Sequence, residues 1–324
     1  MNEYLSSHAP LVSVIIPTYN RPKYLEEALK SAVQQTYKNI EIIVSDNHSS
    51  QNPEVLVKSF QDERIQFHRH PKNLGMFENV KSAFLRASGK YVASLLDDDM
   101  WEPTFLEKMV APLEADSSLV LAFCDHYMMD EKGEIDPAAT EKCSQTYGRA
   151  SLSPGTYRPF HNLSLINGSV STAMAAVIRR ENLDWNQVPP EVGSMWDIYI
   201  GYLCCVTEMG AYYCPEKLTR VRQHSLSDTQ QSGRRNVQSK INKGKSEVFC
   251  YEQLMSDDRL KDYREFFWKR WVHANTTLGV GLMRDHKILE ARAYFQRSLK
   301  SQFSWRTLAA LLISHTPPAI ASRF

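Results

Sequence analysis

Short apolar runs that alternate with helix-period stretches constrain this chain most. Leu11 to Pro17 reads LVSVIIP, Ile40 to Asp46 reads IEIIVSD, Ile65 to Phe67 reads IQF and Tyr91 to Leu96 reads YVASLL. Runs this short and this apolar suit strands buried on both faces, as in a parallel sheet. Between them, Leu25, Ala28, Leu29, Ala32 and Val33 fall on one helical face. Val55 to Phe60 reads as a short helix, and Asn79 to Ala87 as a helix that Ser88-Gly89 closes with a left-handed cap. The alternation predicts an α/β fold with a mostly parallel sheet flanked by helices. In such sheets ligands sit beyond the C-terminal strand ends. Three of these ends carry polar groups: Thr18 to Arg21, Asp46-Asn47, and Asp97-Asp98-Asp99.

Further along, Lys132 to Thr156 lacks periodicity and reads as loop, Ala173 to Ile178 as a strand and Trp196 to Cys205 as a helix. Arg220 to Thr229 is polar and loop-like. From about Lys243 the chain reads helical, with amphipathic stretches at Tyr263 to Val272 and Ile288 to Leu299. The expected division is a first domain over 1–230 and a helical C-terminal extension over 231–324.

Charge excludes one function class. Lys plus Arg is 38 and Asp plus Glu is 37, a formal net charge of +1, so no nucleic-acid partner is expected. The balance is uneven, because residues 230–324 hold 17 Lys/Arg against 8 Asp/Glu. No run of apolar residues is long enough to span a membrane as a helix. The opening residues lack a basic segment followed by an apolar run, so no secretory signal is expected. Six cysteines fit no zinc or CxxC spacing; free thiols in a reducing cytoplasm account for them.

Asp97-Asp98-Asp99 is the strongest chemical feature. Adjacent carboxylates repel unless something positive sits among them, and hard oxygen ligands of this kind suit Mg²⁺ or Mn²⁺. The alternative is an acidic loop capping the next helix. Asp46 suits acceptance of a ring N–H from a nucleobase, or a turn built on its own side chain. Tyr19 suits stacking on a base or packing on the helix. No GxGxxG follows the first strand, no GxxxxGK[ST] occurs, and Gly279-Val280-Gly281 lacks a third glycine. A nucleoside diphosphate would then be held through a metal ion.

Val14 to Arg21, Glu41 to Ser50, Asn73-Leu74-Gly75, and Gly89-Lys90-Tyr91 leading to Asp97-Asp98-Asp99 resemble the blocks of family 2 glycosyltransferases, in the same order. The resemblance covers about residues 11 to 125 and continues more weakly to about 230. It implies a GT-A type fold and inverting transfer of a sugar from a nucleoside diphosphate sugar, most often a UDP-sugar, with Mn²⁺ or Mg²⁺. It also implies work in bacterial cell-surface polysaccharide or glycoconjugate synthesis, on a saccharide, lipid-linked or protein-linked hydroxyl acceptor. Carried over by residue, Thr18 and Tyr19 line the base pocket with Pro17, Arg21 and Asn73 on the donor side. Asp46 binds the base, Asp97 approaches the ribose, Asp98 helps position ribose or metal, and Asp99 holds the metal. Asp197 is the base that activates the acceptor, although Met195-Trp196 stands where an acid usually precedes it. Asp184 and Glu191 lie upstream as substitutes. Arg222-Gln223-His224 resembles a late Arg-x-His segment, with Arg222 facing diphosphate or solvent and His224 completing the metal shell or structural.

A sugar-1-phosphate nucleotidyltransferase is the first rival, but Thr18 to Pro22 has no glycine to form its expected loop. A non-catalytic nucleotide-sugar-binding protein is the second. A processive synthase would need membrane spans and QxxRW, and neither occurs. The tail, basic and acid-free from Ala291 onward, is read either as a helical cap on the catalytic domain or as a surface for anionic lipid. The second reading places the protein in the cytoplasm at the inner face of the membrane.

Overall fold

The structure is a computed structural model that describes residues 9–224 and 236–317. The chain divides into two compact units, residues 1–188 with 197–223, and residues 189–196 with 224–324. The expected boundary after residue 230 falls outside the described residues.

The first unit opens with β1 (Val12–Thr18), α1 (Pro22–Val33), β2 (Ile40–Asp46), α2 (Glu54–Ser59), β3 (Ile65–Arg69), α3 (Met76–Arg86) and β4 (Tyr91–Ser94). β1 pairs in parallel with β2 and β4, and β2 with β3. Both β1 and β2 are buried along their whole length, as unbroken apolar runs require. Leu25, Ala28, Leu29 and Ala32 of α1 close over them. Each fully buried Leu or Ile side chain contributes about 1.5–3 kcal/mol. In the β1–β2 register Thr18 lies opposite Asp46, so these two strands finish together.

The unit continues with β5 (Met100–Trp101), α4 (Phe105–Ala115), β6 (Leu119–Met129), α5 (Pro137–Thr146), β7 (Gly155–Tyr157), β8 (Ala176–Arg179), α6 (Trp196–Cys205) and β9 (Gly210–Arg222). Among the described residues the sheet has nine strands in the order β3-β2-β1-β4-β8-β6-β9-β5, with β7 on β9. The sheet is mixed. Its first half is parallel, and β8 runs antiparallel to both β4 and β6.

Three local readings of the sequence give way here. The stretch expected as loop at 132–156 contains α5, which starts at Asp136, whose side chain accepts from Ala139 N, and at Pro137. α5 buries Thr140 and Ser144 rather than an apolar stripe, so apolar periodicity had nothing to find. Arg220 to Arg222 belongs to β9 rather than a loop, and residues 225–229 of that stretch lie outside the described residues. Pro215 and Glu216 interrupt β9, and the β6 register absorbs them by stepping from Cys124↔Cys214 to Asp125↔Lys217, a bulge where no proline N–H is needed. Gly89 is not a left-handed cap, since α3 ends with Ala87 extended. A Cβ on Gly89 would lie 2.6 Å from Leu11 O and 2.8 Å from Ser13 N. Glycine is required there for close backbone approach.

In the second unit, α7 (Val237–Ser256), α8 (Arg264–Arg284), α9 (Ile288–Ser301) and α10 (Trp305–Ile313) surround a core that includes Ile241, Leu278, Phe295 and Ala310. Gly279 belongs to this core rather than to a cofactor loop, because a Cβ on it would meet the Phe295 ring at 2.5 Å.

Candidate functional site

The acid triplet follows β4, which lies beside β1. Asp97, Asp98 and Asp99 are all buried. Thr18 Oγ1 donates to Asp97 Oδ2 at 2.7 Å, and Tyr19 N–H reaches the same oxygen at 3.3 Å. Arg21 Nη1 bridges Asp97 Oδ1 at 3.1 Å and Asp98 Oδ2 at 2.8 Å. Burial and the neighbouring Asp98 charge push the Asp97 carboxyl up to about 6, against the pull of Arg21 and Thr18. Burial and the Asp98 charge likewise hold Asp99 well above the ordinary carboxylate range.

Asp99 Oδ1 accepts the Arg222 backbone N–H at 2.9 Å, and among the described residues Oδ2 accepts no hydrogen bond. A buried carboxylate with spare acceptor capacity, repelled by its neighbour, fits a divalent cation. Among the described residues no three His, Cys, Asp or Glu side chains group around one ion position. Mg²⁺ and related ions commonly use one or two carboxylates and take their other ligands from water and phosphate. The donor set fits an ion of that type.

Arg222 does not face the site with its guanidinium, contrary to the expectation of a diphosphate contact. Nε donates to Asp98 O, Nη1 to Asp130 O and Glu131 O, and Nη2 to Glu27 Oε2 at 2.5 Å and Met100 Sδ at 3.8 Å. All five donors are spent inside the protein, and the Tyr24 ring lies 4.6 Å away. Glu27 carries no signal in the sequence beyond its place on α1.

On the other side of Thr18, Asp46 is fully buried. Its oxygens accept from Ser49 N, Ser49 Oγ and Arg69 Nη1, the last at 3.0 Å. Ser49 Oγ also accepts from Asn20 N at 2.8 Å, and Ser50 N donates to Asn20 Oδ1 at 2.7 Å. Asp46 therefore ties the loop after β2 to the loop after β1. Ser49 and Arg69 were not singled out from the sequence. Ser49 had the Asp-x-x-Ser spacing as a signal, whereas Arg69 had none. Asn73 Oδ1 accepts from Asn47 Nδ2 and Gly75 N, which fastens the turn before α3 to the end of β2. Pro17 is buried in β1, and Tyr19 is 43% exposed just after that strand.

Asp197 lies in the first turn of α6. Thr172 Oγ1 donates to Asp197 O at 2.6 Å, and Trp101 Nε1, two residues past Asp99, donates to Met174 O at 2.8 Å. The short segment 172–174 thus contacts both the strand after the triplet and the start of α6. Asp184 caps its own turn through Asn186 N and Gln187 Nε2, and Glu191 groups with the second unit. His224 is buried and also groups with the second unit. Ser225 to Ser227 lie outside the described residues.

Residues 13–183 match the model of glycosyl transferase family 2. The chain belongs to that family. An uncharacterized glycosyltransferase of Methanocaldococcus jannaschii is 41% identical over 130 residues, 39% of this chain and 45% of that one. The chain spans about half the length of the curated relatives it matches. Among solved structures, S. aureus TarS 1-349 in complex with UDP-GlcNAc aligns with a TM-score of 0.63 at 14% identity, over 96% of this chain and 89% of that one. The mannosyltransferase PcManGT of Pyrobaculum calidifontis, in complex with GDP-Man and Mn²⁺, aligns with a TM-score of 0.56 at 16% identity, over 98% and 84%. At such identities the likeness speaks for the fold, and the family 2 fold here is of the GT-A type.

Proposed function

We propose that this family 2 chain is an inverting, metal-dependent glycosyltransferase that moves a sugar from a nucleoside diphosphate sugar to a hydroxyl acceptor. The observation that carries this reading is the clamp on the triplet. Thr18 and Arg21 hold Asp97 and Asp98, while Asp99 keeps free acceptor capacity beside them. The UDP-GlcNAc and GDP-Man bound by the two structural neighbours support a donor of this class. UDP is the nucleotide favoured by the resemblance of the Asp46 block.

In this reading Tyr19 covers the base, and Asp46, held by Ser49 and Arg69, binds it. Asp97 meets the ribose, and Asp99 would hold Mn²⁺ or Mg²⁺. When bound, such an ion stabilises the charge of the departing diphosphate. Asp197 takes the acceptor hydroxyl proton as the acceptor oxygen bonds to the anomeric carbon. The bond from that carbon to the phosphate oxygen breaks, and its electron pair leaves with the nucleoside diphosphate. General-base assistance of this kind is worth about 10²–10⁴ in rate. The reading assigns catalysis to residues 1–230 and treats residues 231–324 as an extension, and it puts the reaction in cytoplasmic assembly of a cell-surface glycoconjugate.

A thermal-shift panel of UDP, GDP, ADP and CMP with and without Mn²⁺ tests the reading, because a ligand of the folded state raises its melting temperature. UDP with Mn²⁺ is expected to stabilise most. No metal-dependent stabilisation by any nucleotide would end the proposal.

A further inference from the structure

α10 leaves part of its apolar surface uncovered. Thr307 and Ala310 are buried, Leu311 and Ile313 pack against the core, and Thr307 Oγ1 joins Thr276 Oγ1 at 2.8 Å, with Ser298 Oγ 2.9 Å from Thr276. Its exposed apolar positions are Trp305, Ala309 and Leu312, with Leu308 half-buried beside them at helical spacing. Trp305 is 77% and Leu312 62% exposed. Phe303, 60% exposed, meets the Trp305 ring edge-on at 4.9 Å. A helix that packs one side on the core yet shows water Trp305 and Leu312, next to an exposed Phe303, is suited to a second apolar medium.

Charge indicates which medium. A cavity of about 350 Å³ opens beside the aromatic pair, lined by Lys269, His273, Phe303 and Arg306 among others. No acidic side chain lines it, although Lys269 Nζ also pairs with Glu265 at 2.6 Å. Burial, then the charges of Arg306, Arg270 and Lys240, hold His273 below its ordinary range, so the surroundings are electropositive. No acid occurs anywhere from Ala291 onward. A second copy of this face would bring the same charge and be repelled, whereas an anionic lipid surface complements it.

We infer that the second unit docks on anionic membrane. Phe303, Trp305, Leu308 and Leu312 enter the boundary between headgroups and acyl chains, and a lipid phosphate seats between Lys269, His273 and Arg306. This stands apart from the transfer reaction, as none of these residues has a role in it.

Co-sedimentation of the full chain with vesicles tests the inference. Vesicles of phosphatidylcholine with phosphatidylglycerol are expected to bind about ten-fold more protein than phosphatidylcholine alone, with binding falling as salt rises. Phe303→Ser/Trp305→Ser should lose most of that binding, and Lys269→Glu/Arg306→Glu should lose the preference for anionic vesicles. Circular dichroism melts verify that each variant is folded, and the charge pair keeps the test open if the aromatic pair unfolds. Equal binding to both vesicle types, or full binding by folded variants of both kinds, would overturn the inference. So would a dimer in sedimentation velocity that Trp305→Ser dissolves while vesicles bind nothing. Metal-dependent thermal shift by UDP should be the same in wild type and Trp305→Ser, so a failure here is separable from failure of the proposed function.

Discussion

Arg222 N–H reaches Asp99 Oδ1 at 2.9 Å, and the same residue's Nε reaches Asp98 O at 2.9 Å. One residue at the end of β9 thus clamps two consecutive members of the triplet from more than a hundred positions away. Its guanidinium is buried, and its anionic partner Glu27 is partly exposed. Arg222→Met should therefore orphan three carbonyl oxygens, at a cost of about 1–3 kcal/mol for each one left buried without a donor, while Glu27 is partly solvated. Urea denaturation measures it. Arg222→Lys keeps charge but not the fork, and intermediate stability is expected.

Asp99→Asn should abolish the Mn²⁺ dependence of UDP stabilisation while leaving the fold intact, because its carboxylate carries one hydrogen bond and no ion pair among the described residues. Turnover should fall on the order of 10²-fold or more, as when a single group stabilising transition-state charge is removed. Isothermal titration with Mn²⁺ and UDP together provides the measurement, and unchanged affinity would remove Asp99 from the metal site.

Asp197→Asn should keep donor binding and lose about 10²–10⁴ in turnover. Its main-chain carbonyl, bonded to Thr172, is unaffected by the change, so α6 should stay in place. Donor affinity by titration and transfer rate by product analysis separate the two effects. A near wild-type rate would move the base role elsewhere.

Gly89→Ala should destabilise the first unit by about 1–3 kcal/mol, the range for overpacking. The added methyl would strike the backbone of Leu11 and Ser13 rather than a flexible side chain. The denaturation midpoint should fall, and an unchanged midpoint would show that β1 and β4 can part at that point without cost.

Stability should also fall in acid. His126 is buried, and burial, then the Arg149 charge, lowers it to about 3. The unfolded chain, with an ordinary histidine near about 6.5, binds its proton first as pH drops. The contribution is therefore full above about 6.5 and drains between about 6.5 and about 3. Asp125 is also lowered, with hydrogen bonds from Ser144 and Arg149 outweighing burial, so its share is lost at the acid end of the same range. Urea midpoints at about pH 7 and about pH 5 should differ less in His126→Phe than in wild type.

The first half of the sheet was legible because its strands are unbroken apolar runs and their ends carry the polar residues. The triplet and Thr18 to Arg21 stood out by residue type. The rest was hidden for identifiable reasons. α5 buries hydroxyls, β9 is broken by Pro215, and Arg222 gave no sign that its donors turn inward. Asp46 was chosen as a base contact, and the structure adds Ser49 and Arg69 as partners whose link to it depends on tertiary contact. In the tail, the amphipathic stretch read at Ile288 to Leu299 falls within α9, and α10 follows as a separate helix whose outward face differs in character.

β6 pairs along its length with β9, a strand that begins some eighty residues after β6 ends. During synthesis, β6 has its parallel partner only once the chain is made to Gly210 and beyond, and the clamp on Asp99 only once Arg222 has emerged. Until then one side of β6 is an open hydrogen-bonding edge, and slow non-local pairing of this kind exposes a nascent chain to aggregation. A fragment ending before β9 is therefore expected to gather into insoluble material instead of standing as a smaller working enzyme.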